Sequence, residues 1–354
     1  GVGVTLFAPA IWPFTVRPIC DVVYVPTIRV RIVREYLYLM IVPLYILFFG
    51  LKRRPDAVYC REMSLMAPIF AAARLLGVPT LMEINGFILR DLKMIGISRA
   101  KRAVFRFFQW MNLRLADSLV FVGGDYLRLF REEYRIDERK VRFVPNGVDT
   151  VLFSPGDKAD AARKLGLDIK KKYVTFVGTF YPHSLTPVIV RAARIIVANR
   201  KDTDFIMVGE GHDLALCKGL ARELGIADRI LFPGMKKNRD IPAYLRASAV
   251  LINLVEGSED ISSMKVLEYM SSGGAVVVNG GSAFGLVLAH RENCYLIKKA
   301  EPEALAAAIV ALLNDDRLRH EIGENARAFV LSHFSWKLTA RRLLSVIDEV
   351  PDRG

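Results

Sequence analysis

Cysteine is scarce in this 354-residue chain. Cys20, Cys60, Cys217 and Cys294 are widely scattered and form no C-x-x-C pair. Such spacing excludes a disulfide framework and a thiolate metal centre, fits a reducing compartment, and leaves the four as core side chains. No apolar run reaches membrane-spanning length. The longest charge-free stretch, residues 36–51, holds sixteen residues. As a helix it covers about 24 Å against a hydrocarbon core of about 30 Å, and Pro43 interrupts it. The opening residues lack the basic, apolar and small-residue sections of a secretory signal peptide. Nor does any RNA- or DNA-binding module signature occur.

The length suits two α/β domains of ordinary size, each with its own core. Net charge is +13 and unevenly spread: residues 1–150 hold 22 Lys and Arg against 13 Asp and Glu, leaving 28 against 24 for the rest. A basic first half favours an anionic partner, whether nucleic acid, acidic lipid or a phosphorylated acceptor, with a solvated basic surface as the plain alternative. Two segments concentrate the charge. Within 31–54, residues 31–51 read as an apolar helix with basic flanks, Arg29, Arg31 and Arg34 at its start and Lys52, Arg53 and Arg54 after it. Residues 98–116 read as a helix in which Arg99, Lys101, Arg102, Arg106 and Arg114 interleave with Phe105, Phe107, Phe108, Trp110 and Met111. Both suit an anionic bilayer surface, where long cations reach phosphates and aromatics sit at the interface. Helices packed on a sheet, with charged outer faces, account for the same pattern.

The remaining segments alternate. Strands are predicted over 2–8, 22–25, 56–60, 80–84, 117–122 and 141–144, with helices over 63–76 and 125–134. In the second half, strands over 173–177, 205–208, 230–232, 249–254 and 275–278 alternate with helices over 187–199, up to 225, and over 241–247 and 301–313. A mostly helical tail covers 317–350. Strand and helix in this order specify parallel sheets with helices on both faces, whose ligands gather at the carboxyl ends of the strands. Pro145, Asn146 and Gly147 punctuate the middle of the chain as a domain boundary would.

Residues 260–278 carry the most chemistry. Ser262 and Ser263 can each cap a helix that runs to about Ser272, Gly273 and Gly274 end it, and a valine strand follows. The start of such a helix, with its free N–H groups, two hydroxyls and Lys265, suits an anion such as a diphosphate. Glu268, one to two turns in, can accept hydrogen bonds from a vicinal diol. Phosphates beside a diol describe a nucleotide. An ordinary capped helix, with Glu268 a solvated edge residue, fits the same residues.

Asp260 and Glu268, separated by seven residues and followed by Tyr269-Met270-x-x-Gly273 and the valine strand, resemble the donor-site signature of the family 4 glycosyltransferases. Ser263, Lys265, Glu268, Tyr269 and Met270 stand in register with a common variant of it, and Asp260 stands where the family more often has Glu. Val144-Pro145-Asn146-Gly147-Val148-Asp149 with Phe153 resembles the family's interdomain crossover, and residues 331–354 its closing helix. The resemblance implies an α/β fold of the GT-B type, two Rossmann-like parallel-sheet domains facing a cleft: an acceptor-side domain over 1–153, a nucleotide-sugar domain over 154–330, and 331–354 crossing back. Gly1 opens the chain without Met, directly before a strand that the family places second. The resemblance therefore implies a first domain lacking its first strand, glycine-rich turn and first helix.

The function so implied is retaining transfer of a sugar from a nucleotide donor, without cofactor or metal. Glu268 would bind the ribose diol and Asp260 the sugar hydroxyls, and Ser262, Ser263, Met264 and Lys265 the diphosphate. Gly178, Thr179, Phe180 and Gly209 would line the donor site, and Pro233 and Gly234 would border the base. On the acceptor side stand Arg61, Glu83, Asn85 and Gly86, Asn85 replacing a family His. The family's usual Arg and Lys after the first strand are Thr179 and Ser184 here, which removes two charge-assisted contacts to a leaving diphosphate. A non-catalytic GT-B protein binding nucleotide or glycan is therefore the alternative, and a nucleic-acid-associated basic protein a further one, although no specific nucleic acid is expected. The expected partners are a nucleotide-sugar, a glycan or lipid-linked acceptor and an anionic membrane surface, in a cytoplasmic setting peripheral to the membrane.

Overall fold

The structure is a computed structural model that describes residues 2–9, 20–26, 31–89, 92, 96–256, 264–280, 282–283 and 286–350; for 31–35, 282–283 and 286–287 it describes the backbone alone. The chain divides into two compact units. The first takes Gly1–Val122, Tyr126–Val144 and Arg342–Gly354; the second takes Gly123–Asp125 and Pro145–Arg341.

In the first unit, β1 (Thr5–Pro9), β2 (Asp21–Val25) and α1 (Arg31–Arg53) come first. β3 (Val58–Arg61), α2 (Ala67–Leu75), β4 (Thr80–Ile84), α3 (Arg99–Leu115), β5 (Ser118–Phe121), α4 (Gly124–Glu133) and β6 (Val141–Phe143) follow. β3 to β6 form a four-stranded parallel sheet in sequential order. β1 and β2 also pair in parallel, but as a separate two-stranded sheet. They lean on α1 instead: Phe7 meets Tyr45 and Phe49 edge-on, and the Tyr38 hydroxyl donates to the Phe7 carbonyl at 2.8 Å.

Strand alternation sorts this unit's core. Met82, Ile84, Leu119 and Phe121 face Leu39, Val42 and Ile46 of α1, Ile69 and Phe70 of α2, Leu113 of α3 and Phe130 of α4. Leu81 and Val120 face the other way, onto Val144 and Val346. α1 runs beyond the charge-free stretch, and Pro43 lies inside it. Over Tyr36–Arg53 it is, among the described residues, the one helix long and apolar enough to cross a membrane by length and composition. Its buried face nevertheless belongs to this core, so α1 is a covering layer of the unit.

The second unit begins with α5 (Lys158–Lys164), a short helix that the sequence reading did not include. β7 (Lys172–Val177), α6 (Thr186–Asn199), β8 (Thr203–Val208), α7 (Leu214–Glu223), β9 (Ile230–Gly234), α8 (Ile241–Ala247) and β10 (Ser248–Asn253) follow. Then come α9 (Met264–Ser271), β11 (Val276–Val278), the antiparallel pair β12 (Ser282–Ala283) and β13 (Leu286–Val287), and β14 (Tyr295–Leu296). α10 (Pro302–Asn314), α11 (Asp316–His333) and α12 (Trp336–Glu349) close the chain. The expected tail is thus two helices, and the end of α12 from Arg342 belongs to the first unit.

The six-stranded sheet is parallel, in the order β14-β11-β10-β7-β8-β9. Val174, Phe176, Phe205 and Met207 face α6, α7 and α10, whereas Tyr173, Val177, Ile206 and Val208 face α8, α9 and α11. Burial on both faces explains the valine and phenylalanine runs. The strand order grows outward from β7 in both directions, so the topological switch point lies between β7 and β10, where such sheets bind ligands.

One side chain holds α9 at that point. β10 pairs with β7 only as far as Thr175, leaving the last part of that edge open. The fully buried Tyr269 fills it: its hydroxyl accepts from the Val177 N–H at 2.7 Å and donates to the Val177 carbonyl at 2.8 Å. Tyr269→Phe keeps the ring and leaves two buried backbone groups unpaired, so it should destabilise the second unit by about 2 kcal/mol. Urea unfolding of the two proteins measures this; a difference below about 0.5 kcal/mol would mean that the pair contributes little.

Candidate functional site

The loops at the carboxyl edge of the second sheet are laced to one another. The Gly178 N–H donates to the Val208 carbonyl, the Phe180 N–H to Glu210, the Gly209 N–H to Gly234 and the Glu256 N–H to His183. The Asn279 carboxamide holds Val255 at both ends, accepting from its N–H at 2.9 Å and donating to its carbonyl at 2.7 Å. Two glycines permit the closest approach. Gly209 has φ of +134°, and a Cβ there would lie 1.8 Å from the Gly178 carbonyl oxygen; at Gly211, φ +148°, it would lie 2.5 Å from the Phe180 carbonyl oxygen. Only glycine meets both demands.

Lys265 and Glu268 occupy α9 beside this edge, both half-buried. The Lys265 ammonium lies 5.0 Å from the centre of the Phe176 ring and so close over Gly178 that a Cβ there would clash with it. Burial pulls Lys265 down to about 8, with Glu268 opposing the shift. Burial likewise pushes Glu268 up to about 7, and Lys265 opposes that. Neither charge is relieved by a hydrogen bond among the described residues. A desolvated cation and carboxylate one turn apart, neither hydrogen-bonded among the described residues, are groups prepared for a polar ligand. Asn253, the last residue of β10, is fully buried with neither amide atom hydrogen-bonded. Sequence reading missed both Asn253 and Asn279, since a strand-end Asn reads as a turn residue.

Asp260, Ser262 and Ser263 lie outside the described residues, so the expected helix cap and sugar contact are not located. Met264 begins α9 and packs on the core under it. Gly178 and Gly209 sit at the strand ends described, and Pro233 and Gly234 end β9, Gly234 facing the Glu210 carboxylate at 3.8 Å from an added Cβ. Thr179 is exposed. The Phe180 side chain is fully buried between Phe176 and Phe232, its N–H donates to the Glu210 carbonyl and its carbonyl accepts from the Asp213 N–H, so it supports the loop from beneath. Ser184 is buried too, its hydroxyl unpartnered.

On the first unit, Arg61 ends β3 exposed, and Asn85 and Gly86 follow β4 half-buried. Glu83 accepts from Tyr59 and Asn85, and burial raises its pKa above the ordinary carboxylate value. Glu62 follows Arg61 at the end of β3. Burial pushes it up to about 7, and it accepts from Gln109 at 2.8 Å, whose own oxygen accepts from Tyr134 at 2.7 Å. Only the fold brings residues this far apart in sequence into one relay.

The family described as Glycosyl transferases group 1 matches residues 157–329, and Glycosyltransferase Family 4 matches residues 1–152. The D-inositol 3-phosphate glycosyltransferase of Acidothermus cellulolyticus is 30% identical over 241 residues, 65% of this chain and 53% of that protein. The UDP-Gal:alpha-D-GlcNAc-diphosphoundecaprenol alpha-1,3-galactosyltransferase of Escherichia coli is 25% identical over 272 residues, 75% and 67% of the two chains. The chain spans about half the length of the inositol-phosphate relatives it matches. Among solved structures, Anabaena Alr3699/HepE in complex with UDP and glucose is similar with a TM-score of 0.72 at 16% identity, covering 93% of this chain and 86% of that one. WaaG, a glycosyltransferase involved in lipopolysaccharide biosynthesis, is similar with a TM-score of 0.73 at 14% identity, covering 99% and 91%. At such identity these two bear on the fold alone.

Fold and matches together define a protein of the GT-B glycosyltransferase architecture, with two Rossmann-like parallel-sheet domains. More particularly, residues 1–152 match the family 4 model and residues 157–329 the group 1 model.

The Lys265–Glu268 pair sets a pH signature. Folded Glu268 keeps a proton that the unfolded chain releases above 4.5, so its contribution is full below that pH and is lost as pH rises towards 7. Folded Lys265 releases its proton near 8, whereas the unfolded chain holds it to 10.5, so stability recovers between those values. Melting temperature against pH should show both limbs, and Glu268→Gln should flatten the one between 4.5 and 7. An unchanged acid limb would remove Glu268 as its source.

Proposed function

We propose that this chain is a retaining glycosyltransferase that moves a sugar from a nucleotide-sugar to a glycan or lipid-linked acceptor in envelope or glycoconjugate synthesis, at the cytoplasmic face of a membrane. The observation that carries the reading is the desolvated Glu268 carboxylate, without a hydrogen bond among the described residues, beside Lys265 on the helix at the switch point of a doubly wound sheet. In this reading Glu268 holds the ribose diol and Asp260 the donor sugar. Lys265, with Ser262, Ser263 and the backbone at Met264, holds the diphosphate, whose charge favours the ammonium form. Gly178, Thr179 and Gly209 border it, and Pro233 and Gly234 flank the base. On the acceptor side Arg61, Glu83, Asn85 and Gly86 bind hydroxyls or phosphate. The leaving diphosphate takes the acceptor's proton, so rate comes from positioning and from stabilising the leaving group.

Two things support an anionic acceptor: the basic first half of the chain, and relatives whose names specify an inositol phosphate and a diphosphoundecaprenol-linked sugar. One observation favours a second reading. The position of the family's second cation is the buried Ser184, which turns no polar group to a ligand. A protein that binds sugar nucleotide without turnover would look the same.

Thermal shift with a panel of sugar nucleotides tests the site. The stabilising nucleotide should bind Glu268→Ala about tenfold to a hundredfold more weakly, as loss of a charged hydrogen-bond acceptor implies, and wild-type affinity should improve as pH rises through 7. An equal shift in the variant would remove Glu268 from the site. Binding without turnover would select the second reading, and NMR of the product's anomeric proton would report retention or inversion.

A further inference from the structure

Two helices of the first unit present apolar stripes to solvent. On α1, Tyr36, Met40, Leu44, Phe48 and Leu51 are each at least half exposed, from 50% to 76%. Their spacing of four, four, four and three keeps them on one side of the helix, opposite the buried Leu39, Val42 and Ile46. The stripe is about 23 Å long. On α3, Val104, Phe107 and Trp110 are exposed three residues apart, opposite the buried Gln109 and Leu113.

Each stripe ends in the same chemistry. Lys52 lies 4.1 Å over the Phe48 ring, followed by Arg53 and Arg54; Arg114 lies 4.9 Å over Trp110, whose own ring stacks near Phe107 at 5.9 Å. Beyond Trp110 the surface opens into a hollow of about 370 Å³ lined by Arg114, Arg135 and Lys140 together with Tyr134 and Asp137. α3 contains five cations and no acid, and residues 36–51 carry no charge at all. Exposed apolar stripes of this size on a monomeric surface mark an interaction site.

We propose that these stripes are a two-point docking surface for an anionic lipid bilayer. Apolar side chains enter the headgroup boundary, and Lys52, Arg53, Arg54, Arg114 and the basic hollow contact lipid phosphates. The sign of the flanking charge, the cation-over-aromatic pairs and the absence of acid on α3 match an anionic interface. α1 lies flat on this surface and does not cross it, because its other face is the core of the unit. The proposal rests on the reading of a membrane-linked acceptor, to which it assigns the contacting residues.

Vesicle co-sedimentation of the full chain is the test, using phosphatidylcholine alone and phosphatidylcholine with a quarter phosphatidylglycerol. The wild type should pellet with the anionic vesicles only. Leu44→Glu with Phe48→Glu, and separately Phe107→Ala with Trp110→Ala, should each weaken binding at least tenfold. Reversing Lys52, Arg53 and Arg54 to Glu should weaken it by about fivefold or more per cation. Each variant is also heated with the stabilising sugar nucleotide, and an unchanged shift shows that the fold and donor site persist. Equal pelleting with both vesicles, no pelleting, or insensitivity to both pairs overturns the proposal. Salt-sensitive binding of duplex DNA lost in the same variants, without vesicle binding, replaces it with a nucleic-acid surface. The donor-site reading stands or falls separately, on the nucleotide shift.

Discussion

The Tyr269 hydroxyl and the backbone of Val177 form the contact on which the second unit's chemistry depends. β10 leaves β7 after Thr175, and the opened edge needs partners for its N–H and carbonyl. Tyr269 supplies both from within α9, and so fixes the rotation of that helix. Lys265 and Glu268, four and one positions earlier, are thereby turned together to the switch point. The pair's desolvation follows from the same placement: the helix that carries them is held down on the sheet, and the two side chains lose water without gaining a hydrogen bond among the described residues.

The loops around the pair form one structure. Backbone bonds run between the ends of β7, β8 and β9, and Asn279 ties the loop after β10 to the end of β11. Glycine is required where Gly209 and Gly211 touch the β7 loop. Buried Phe180 locks that loop from beneath, as the core takes its ring and its neighbours take both its backbone groups. A rigid carboxyl edge of this kind holds polar groups in position before a ligand arrives, which lowers the entropy lost on binding.

The first unit is built on the opposite balance. There α1 and α3 bury one face in the core and leave an apolar stripe exposed on the other. Its strand ends hold carboxylates, Glu62 and Glu83, that burial makes weaker acids and that hydrogen bonds from Gln109, Asn85 and Tyr59 keep in place. Burial and pairing there are local to the unit, and they give it an edge of hydrogen-bond acceptors with a cationic outer surface.

Much of this was legible from the amino-acid order alone. Runs such as Val174 to Val177 and Val276 to Val278 are buried on both faces, so composition reveals parallel strands, and Gly and Pro mark their ends. Lys265 and Glu268 stood out because one helix places them a turn apart, with Tyr269 next to Glu268. Tertiary structure decided the rest, for reasons of distance and shared burial. Phe180 looked like a loop residue near a ligand, and only packing against Phe176 and Phe232 made it core. Glu62, Gln109 and Tyr134 form a relay only after folding, and α1, which reads as uniformly apolar, acquires a covered side and an open one only when a sheet buries Leu39, Val42 and Ile46. Sequence periodicity shows which residues share a face; which face meets the core, and which carboxylate loses its water, are properties of the assembled layers.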